Sequence, residues 1–187
     1  MAAIKKISEE AIINAALEIV RSGGMGSLNA RSLARALGCS TRPVYLAFGG
    51  MDEVKSRAAE KIKETYEDYL RREAESGRYP PFKAYGMGYI KFAREEKEFF
   101  KFLFMRDRTG ESIVEEDISD ILWAVMKSTG LDEKRAKLFH LESWIFVHGI
   151  AAMLATSYIE FDEEFIGRML TDMFEGLKTR FKGDKEC

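Results

Sequence analysis

The sequence predicts an all-α fold, and three observations lead to that prediction. Apolar residues recur at the spacing of an amphipathic helix along most of the chain, and no alternation typical of strands competes with it. Only three of the 187 residues are proline, and two of them are adjacent, at 80 and 81. Because 46% of the residues are hydrophobic, a chain of this length can bury a substantial core.

Three short helices are predicted in the N-terminal part of the chain. The first covers residues 8–22, from a capping serine followed by two glutamates to a glycine pair that stops the helix. The second covers residues 30–37, and either Asn29 or Ser27 can cap it. The third is predicted after Ser40, which can serve as its N-cap.

Longer helices are predicted beyond the glycine pair at 49 and 50. The fourth helix begins near Asp52 and continues to about Arg72, and a loop with the two adjacent prolines follows it. Further helices are predicted over about 82–105, where Glu95-Glu96 offers a point of interruption, over 112–128, over 132–158 and over 162–181. Asp-Glu pairs open the last two helices, which suits the positive end of a helix dipole.

Residues 30–48 fit a helix-turn-helix motif. Ala34 is small where two helices cross closely, and Gly38 can take the left-handed conformation that a tight turn demands. Val44 can then return the chain to the hydrophobic contact between the helices. Pro43 is predicted to lie in the first turn of the second helix, where a missing N–H costs little.

The N-terminal end of that second helix carries side chains suited to DNA. Thr41 and Arg42 project from it; arginine can bind guanine O6 and N7 together, and threonine can contact a base or a phosphate. Tyr45 lies one turn further and can bond a phosphate through its hydroxyl group. The alternatives are that Arg42 is an ordinary surface residue and that Tyr45 belongs to the core.

The charges are unevenly placed along the chain. Residues 1–48 have six basic and three acidic side chains, a net charge of +3, so the remainder carries −5 of the total of −2. A basic N-terminal part followed by an acidic remainder indicates an anionic partner at the N-terminal end. Solvated surface charge is the alternative explanation.

The segments AALEIV, GSLNARSLARALGCST and VYLAF, followed by the start of a fourth helix, resemble the N-terminal domain of TetR-family transcriptional regulators. The resemblance covers residues 12–54. It implies a three-helix DNA-binding domain, here residues 1–50, and a helical bundle, residues 51–187, that binds ligand and dimerises through its last two helices. In this resemblance the recognition helix corresponds to residues 40–47, and Arg31 matches a position that often contacts DNA.

Met51 departs from the family pattern, in which a lysine often begins the fourth helix. The lysine contact with DNA cannot be carried over to this chain. A phosphate can still be held by the backbone N–H groups at the start of that helix. The predicted DNA-binding residues are therefore Arg31, Ser40, Thr41, Arg42, Pro43, Tyr45 and Met51.

The segment WIFVHG, residues 144–149, resembles the Trp…His-Gly signature of one C-terminal subgroup of the same family. Trp144 and His148 share a helix face and are predicted to line an effector pocket, although a core tryptophan and a satisfied core histidine are the alternative. The aromatic run FFKFLFM, with Tyr85, Tyr89 and Phe92 before it and Trp123 and Met126 after it, predicts a large, mainly apolar cavity for a hydrophobic effector. The predicted ligand-binding residues are Tyr89, Phe100, Phe104, Trp123, Trp144 and His148.

The last predicted helix carries an apolar stripe that is wide for a lone surface helix. We expect it to pack against its twin, and against residues 145–158, as a four-helix homodimer interface. The members of the stripe are Phe165, Ile166, Met169, Leu170, Met173, Phe174 and Leu177.

The residues do not predict an enzyme, a metal site or a cofactor. The two histidines, His140 and His148, have no metal-ligand spacing between them, and Cys39 and Cys187 form no disulfide framework. The N-terminus lacks an apolar signal core, and residues 144–155 are too short to span a bilayer. A cytoplasmic protein without a membrane partner is expected.

These observations predict a ligand-responsive transcriptional regulator that binds DNA sequence-specifically. A repressor is preferred, binding a near-palindromic operator in double-stranded DNA as a dimer and released by a small hydrophobic molecule. A helical protein–protein interaction module and a transcriptional activator of the same fold remain the alternatives.

Overall fold

A computed structural model of the chain describes residues 7–107, 109 and 118–183. Helices are the only regular elements over these ranges, which confirms the predicted all-α class there. Described in order, they are α1 (Glu9–Gly23), a 3-10 helix (Met25–Ser27), α2 (Ala30–Ala36), α3 (Arg42–Ala47), α4 (Met51–Glu75), α5 (Pro81–Glu95), α6 (Lys97–Phe104), α7 (Ser119–Thr129), α8 (Glu133–Ala155) and α9 (Glu163–Gly183).

Most of the predicted helix ends lie within a few residues of the observed ones. The Ser8 side chain caps α1, and Asp132 caps α8 through the N–H of Arg135. The predicted interruption near Glu95-Glu96 is present, because Glu96 separates α5 from α6. The first residues of the helix predicted over 112–128 lie outside the described residues, and α7 is described from Ser119.

The start of α3 differs from the prediction, which placed Ser40 at the N-cap. The helix begins at Arg42, and Thr41 occupies the N-cap position, but its side chain accepts no capping hydrogen bond. A helix capped by Ser40 would have Pro43 at its third position, and proline has no N–H to donate to a capping side chain. Pro43 does lie in the first turn of α3, as predicted.

The chain divides into two compact units. The first unit comprises the described residues up to Tyr66 together with Glu96–Arg106, and the second comprises Glu67–Glu95 and the described residues after Arg106. In the first unit α1 packs against α2 and α6, and α2 packs against α3. Its fully buried side chains include Ile12, Leu33, Val44, Ile62, Phe99 and Phe100.

The second unit is built around α8, which packs against α5, α7 and α9. Phe139 of α8 lies at the centre of an aromatic cluster, with ring centroids 5.7 Å from Phe82, 5.3 Å from Phe174 and 5.6 Å from Phe181. The four phenylalanines come from α5, α8 and α9, so these three helices share one aromatic cluster. Aliphatic side chains of α7 and α8 complete the core around it.

Helix α8 is longer than the apolar segment 144–155, which by itself is too short to span a bilayer. Its 23 residues, Glu133–Ala155, are long and apolar enough to cross a membrane by length and composition alone. The same property is common in core helices of soluble proteins, and α8 has buried residues from Ala136 to Ala155. Length and composition therefore do not decide the setting of this helix.

Candidate functional site

The outer face of α3 exposes three chemically different side chains. Arg42, Tyr45 and Leu46 lie at positions i, i+3 and i+4, so they share one helix face. Tyr45 is 55% exposed and Leu46 is 73% exposed, whereas Val44 is completely buried on the opposite face. The helix thus presents a cation, a phenolic hydroxyl group and a branched apolar group to the surroundings.

The turn that leads into α3 requires a glycine. Gly38 has a φ of 63°, in the left-handed region that side chains with a Cβ disfavour. The N–H of Cys39 then donates to the carbonyl oxygen of Ala34, at 3.0 Å, which closes the C-terminal end of α2. The predicted roles of Gly38 as the turn residue and of Val44 as a buried contact are confirmed.

A capping box fixes the start of α2 and therefore the position of Arg31. The Asn29 side chain accepts hydrogen bonds from the N–H groups of Arg31 and Ser32, both at 3.0 Å. The Ser32 hydroxyl oxygen accepts in return from the N–H of Asn29, also at 3.0 Å. Asn29 rather than Ser27 is thus the cap of α2, and the Arg31 side chain is exposed in its first turn.

The segment that carries α2 and α3 contains basic side chains and no acidic ones. Residues 24–51 contain three arginines, Arg31, Arg35 and Arg42, and no acidic residue. All three side chains are exposed, and none forms an ion pair with another described residue. Elsewhere in the first unit, by contrast, Arg57 pairs with Glu60. The two helices of the predicted DNA-binding motif therefore carry three arginines that no ion pair among the described residues compensates.

The start of α4 is less suited to a phosphate than the sequence suggested. Met51 is the first residue of α4 and is half-buried. Asp52 and Glu53 follow in the first turn, and the Glu53 carboxylate accepts a hydrogen bond from the N–H of Gly49 at 2.6 Å. Because two carboxylates at this helix end repel a phosphate, the start of α4 is a weaker anion site than the exposed guanidinium groups of Arg31 and Arg42.

Three of the predicted ligand-binding residues meet in the second unit. The Tyr89 hydroxyl oxygen lies 2.9 Å from Nδ1 of His148, and the Trp144 ring stacks on the His148 ring with centroids 5.0 Å apart. Tyr89 is buried, His148 is half-buried and Trp144 is exposed, so the trio extends from the core to the surface. We call these three residues the Tyr-His-Trp cluster.

Burial determines the charge state of the imidazole in this cluster. The pKa of His148 is lowered because its surroundings exclude water and so disfavour the charged form. A neutral imidazole can accept a hydrogen bond from the Tyr89 hydroxyl group at Nδ1. The Tyr-His-Trp cluster therefore offers an uncharged, mainly aromatic surface.

The other predicted ligand-binding residues lie elsewhere. Phe100 and Phe104 belong to the first unit, where their ring centroids are 5.2 Å apart and Phe104 also contacts Tyr66 at 5.2 Å. Trp123 of α7 is 60% exposed, and the Lys127 ammonium group lies 4.5 Å from its ring centroid. The six residues are thus distributed over separate local environments.

Sequence reasoning missed Leu46, which is among the most exposed large apolar side chains of the described residues. A signal for it was available, because Leu46 follows Arg42 by four residues and must share its face. Sequence reasoning also missed Leu138 and Leu141, two exposed apolar side chains of α8. Ile145, which begins the segment 145–158 of the predicted homodimer interface, is exposed as well. Leu138, Leu141 and Ile145 follow the spacing i, i+3 and i+7, so they lie on one face of α8.

Among the described residues, no group of three or more His, Cys, Asp or Glu side chains could hold a metal ion. No protein-family model matches the chain, and no curated protein matches it significantly.

Proposed function

We propose that this protein is a transcriptional regulator that binds double-stranded DNA sequence-specifically through α2 and α3. The observation that carries the proposal is the acid-free segment 24–51, whose exposed arginines have no ion-pair partner among the described residues. Neutralisation of phosphates by arginine and lysine supplies essentially all of the non-specific affinity of proteins for DNA and a large share of the specific affinity. The outer face of α3 adds side chains that can reach base edges in a major groove.

The proposed architecture follows the resemblance to TetR-family regulators. Helices α1, α2 and α3 would form the DNA-binding domain of residues 1–50, with α2 and α3 as its helix-turn-helix. Helix α4 would connect it to a ligand-binding and dimerisation bundle, residues 51–187. The short turn at Gly38 and the proline in the first turn of α3 support this proposal.

The Tyr-His-Trp cluster supports binding of a small hydrophobic effector by the second unit. Its neutral imidazole and its partly exposed Trp144 ring favour an uncharged aromatic ligand that stacks on the indole. Such a ligand would release the repressor if it bound the DNA-incompetent conformation more tightly. With Trp123→Phe, Trp144 becomes the only tryptophan, and quenching of its fluorescence by candidate aromatic compounds tests this assignment.

Uncovered apolar residues on α8 and α9 support a homodimer. Leu141 and Ile145 of α8 and Phe165 of α9 are exposed. A methyl group added at Gly149 or Gly176 would meet no atom within 4 Å, so these two helices have open surface where a second copy can approach closely. A dimer would present two α3 helices to a near-palindromic operator.

The decisive experiment selects bound sequences from a random duplex pool with the purified protein at two salt concentrations. Enrichment of a palindromic site, with affinity that falls as salt rises, is the expected result. If no sequence is enriched at low salt, the proposal is overturned. The motif would then fit the alternative, a cytoplasmic protein–protein interaction module, for which the exposed Tyr45 and Leu46 side chains provide an apolar contact surface.

A further inference from the structure

Leu46 is exposed on the face of α3 that also carries Arg42. Its relative exposure of 73% is higher than that of Tyr45 beside it, so no described residue covers the side chain. If a partner covers this face, burial of the Leu46 side chain against an apolar group stabilises the complex.

The charge around Leu46 restricts the occupant of this face. The exposed arginines of residues 24–51 have no acidic neighbour in that segment and no ion-pair partner among the described residues, which favours a polyanion. On the major-groove edges of DNA, thymine alone presents a methyl group, at C5, while the other bases present hydrogen-bond donors and acceptors. A branched aliphatic side chain on a cationic helix face therefore matches thymine among the four bases.

We propose that Leu46 is a specificity-determining residue that reads the 5-methyl group of a thymine in each half-site. This inference rests on the proposed function and adds the composition of the DNA that the site prefers. Leu46 shares the face of Arg42, whose guanidinium group suits guanine O6 and N7. The two contacts together define a preferred base pattern.

The spacing of that pattern follows from helix geometry. Four residues of α-helix advance about 6 Å along the axis, and one base pair of DNA advances about 3.4 Å. With α3 along the groove, the thymine lies about two base pairs from the guanine that Arg42 contacts. Each half-site of the selected operator should contain a guanine and a thymine at this separation.

The test uses the duplex selected by the full-length protein. Each thymine is replaced in turn by deoxyuridine, which lacks only the 5-methyl group. We expect one replacement per half-site to weaken binding by about fourfold, the equivalent of one methyl group removed from an apolar contact. Leu46→Ala and Leu46→Gln should bind the thymine and deoxyuridine duplexes equally well.

Met105→Ala is the matched control, because Met105 is an exposed apolar residue of the first unit that lies outside α2 and α3. It should keep the wild-type sensitivity to deoxyuridine. The inference is overturned if no replacement affects the wild-type protein, or if the Leu46 variants keep the same sensitivity. Failure to select any duplex has a different meaning, because it overturns the proposed function and this inference with it.

Discussion

At the scale of single residues, Ser157 adopts a backbone conformation that costs stability. It is the one non-glycine residue with a positive φ, 54°, in the described part of the chain. Its position directly after α8 allows the N–H groups of Ser157 and Tyr158 to donate to the carbonyl oxygens of Leu154 and Met153, at 3.0 and 2.9 Å. This ending of a helix is usually formed by glycine.

Ser157→Gly should therefore stabilise the protein by about 1 kcal/mol, since glycine enters the left-handed region without the Cβ penalty. The free energy of unfolding in urea measures the change. Ser56→Gly is the matched control, because Ser56 lies exposed inside α4, where the same substitution should cost about 0.5 kcal/mol. Destabilisation by both variants would contradict the strain at Ser157.

His140 makes stability depend on pH. Its Nδ1 atom is buried and has no hydrogen-bond partner among the described residues, and its ring packs edge-on against Phe82 with centroids 6.5 Å apart. Burial lowers the pKa of His140 below its ordinary value of about 6.5. The unfolded chain therefore binds more protons than the folded protein below that pH.

The contribution of neutral His140 to the free energy of unfolding is fully present above about pH 6.5. It declines as the pH falls toward the lower pKa that His140 has in the folded state. His140→Leu should reduce the loss of stability between about pH 7.5 and 5.5, because leucine cannot bind a proton. Urea unfolding at the two pH values measures this loss. His148, whose pKa burial also lowers, would keep its own contribution in the variant. An equal loss in both proteins would show that His140 does not cause it.

At the scale of elements, α1 and α6 are joined by a paired arginine. Nε and a terminal nitrogen of Arg21 donate to the two carboxylate oxygens of Glu96, at 2.8 and 3.0 Å, and the guanidinium group lies 4.9 Å from the Phe99 ring centroid. The Glu96 side chain is 12% exposed and the Arg21 side chain is 40% exposed, so water screens this pair less than a pair with two exposed side chains. Two parallel charged hydrogen bonds give the strongest geometry of this kind.

A double-mutant cycle with Arg21→Ala and Glu96→Ala should give a coupling free energy of about 1–2 kcal/mol. The control cycle uses Arg57 and Glu60, which are 3.5 Å apart with both side chains more than half exposed. That coupling should stay below about 0.5 kcal/mol. Similar coupling in the two pairs would show that burial and geometry at Glu96 do not matter.

Local signals predicted the elements well, whereas the start of α3 needed the structure. Ser8 and Gly38 stand at helix ends for reasons that act within a few residues, so their sequence neighbours suffice to identify them. The N-cap of α3 was misplaced at Ser40, because the missing N–H of Pro43 was treated as harmless in the first turn, although a proline at the third helical position cannot donate to a capping side chain. In the structure α3 starts at Arg42, which places Pro43 at the second helical position.

At the scale of the whole molecule, the sequence could not predict which aromatic residues meet. Tyr89 and His148 are 59 positions apart, and no local pattern specifies the hydrogen bond between them. The sequence predicts the interruption at Glu95-Glu96, but no local pattern shows that Phe100 and Phe104, which follow it, belong to the first unit. Helical periodicity identifies buried faces but not their partners.

The proposed dimer is tested by its mass. We expect the wild-type protein to sediment as a dimer at micromolar concentration and Ile145→Glu to sediment as a monomer, since a charge would be buried between two α8 helices. Trp123→Glu is the control, because Trp123 is equally exposed but lies on α7, outside the proposed interface. A wild-type monomer at that concentration would rule out the interface.

We propose that the outer face of α3 reads DNA, and the affinity of Arg42→Ala for the selected duplex tests this role most directly. Loss of the guanidinium contact should weaken binding by about 1–3 kcal/mol per half-site and relax the preference for guanine at one position. Arg57→Ala, which removes an exposed arginine from α4, should bind like the wild-type protein. Unchanged affinity and unchanged base preference in Arg42→Ala would contradict the assignment of α3 as the helix that reads DNA.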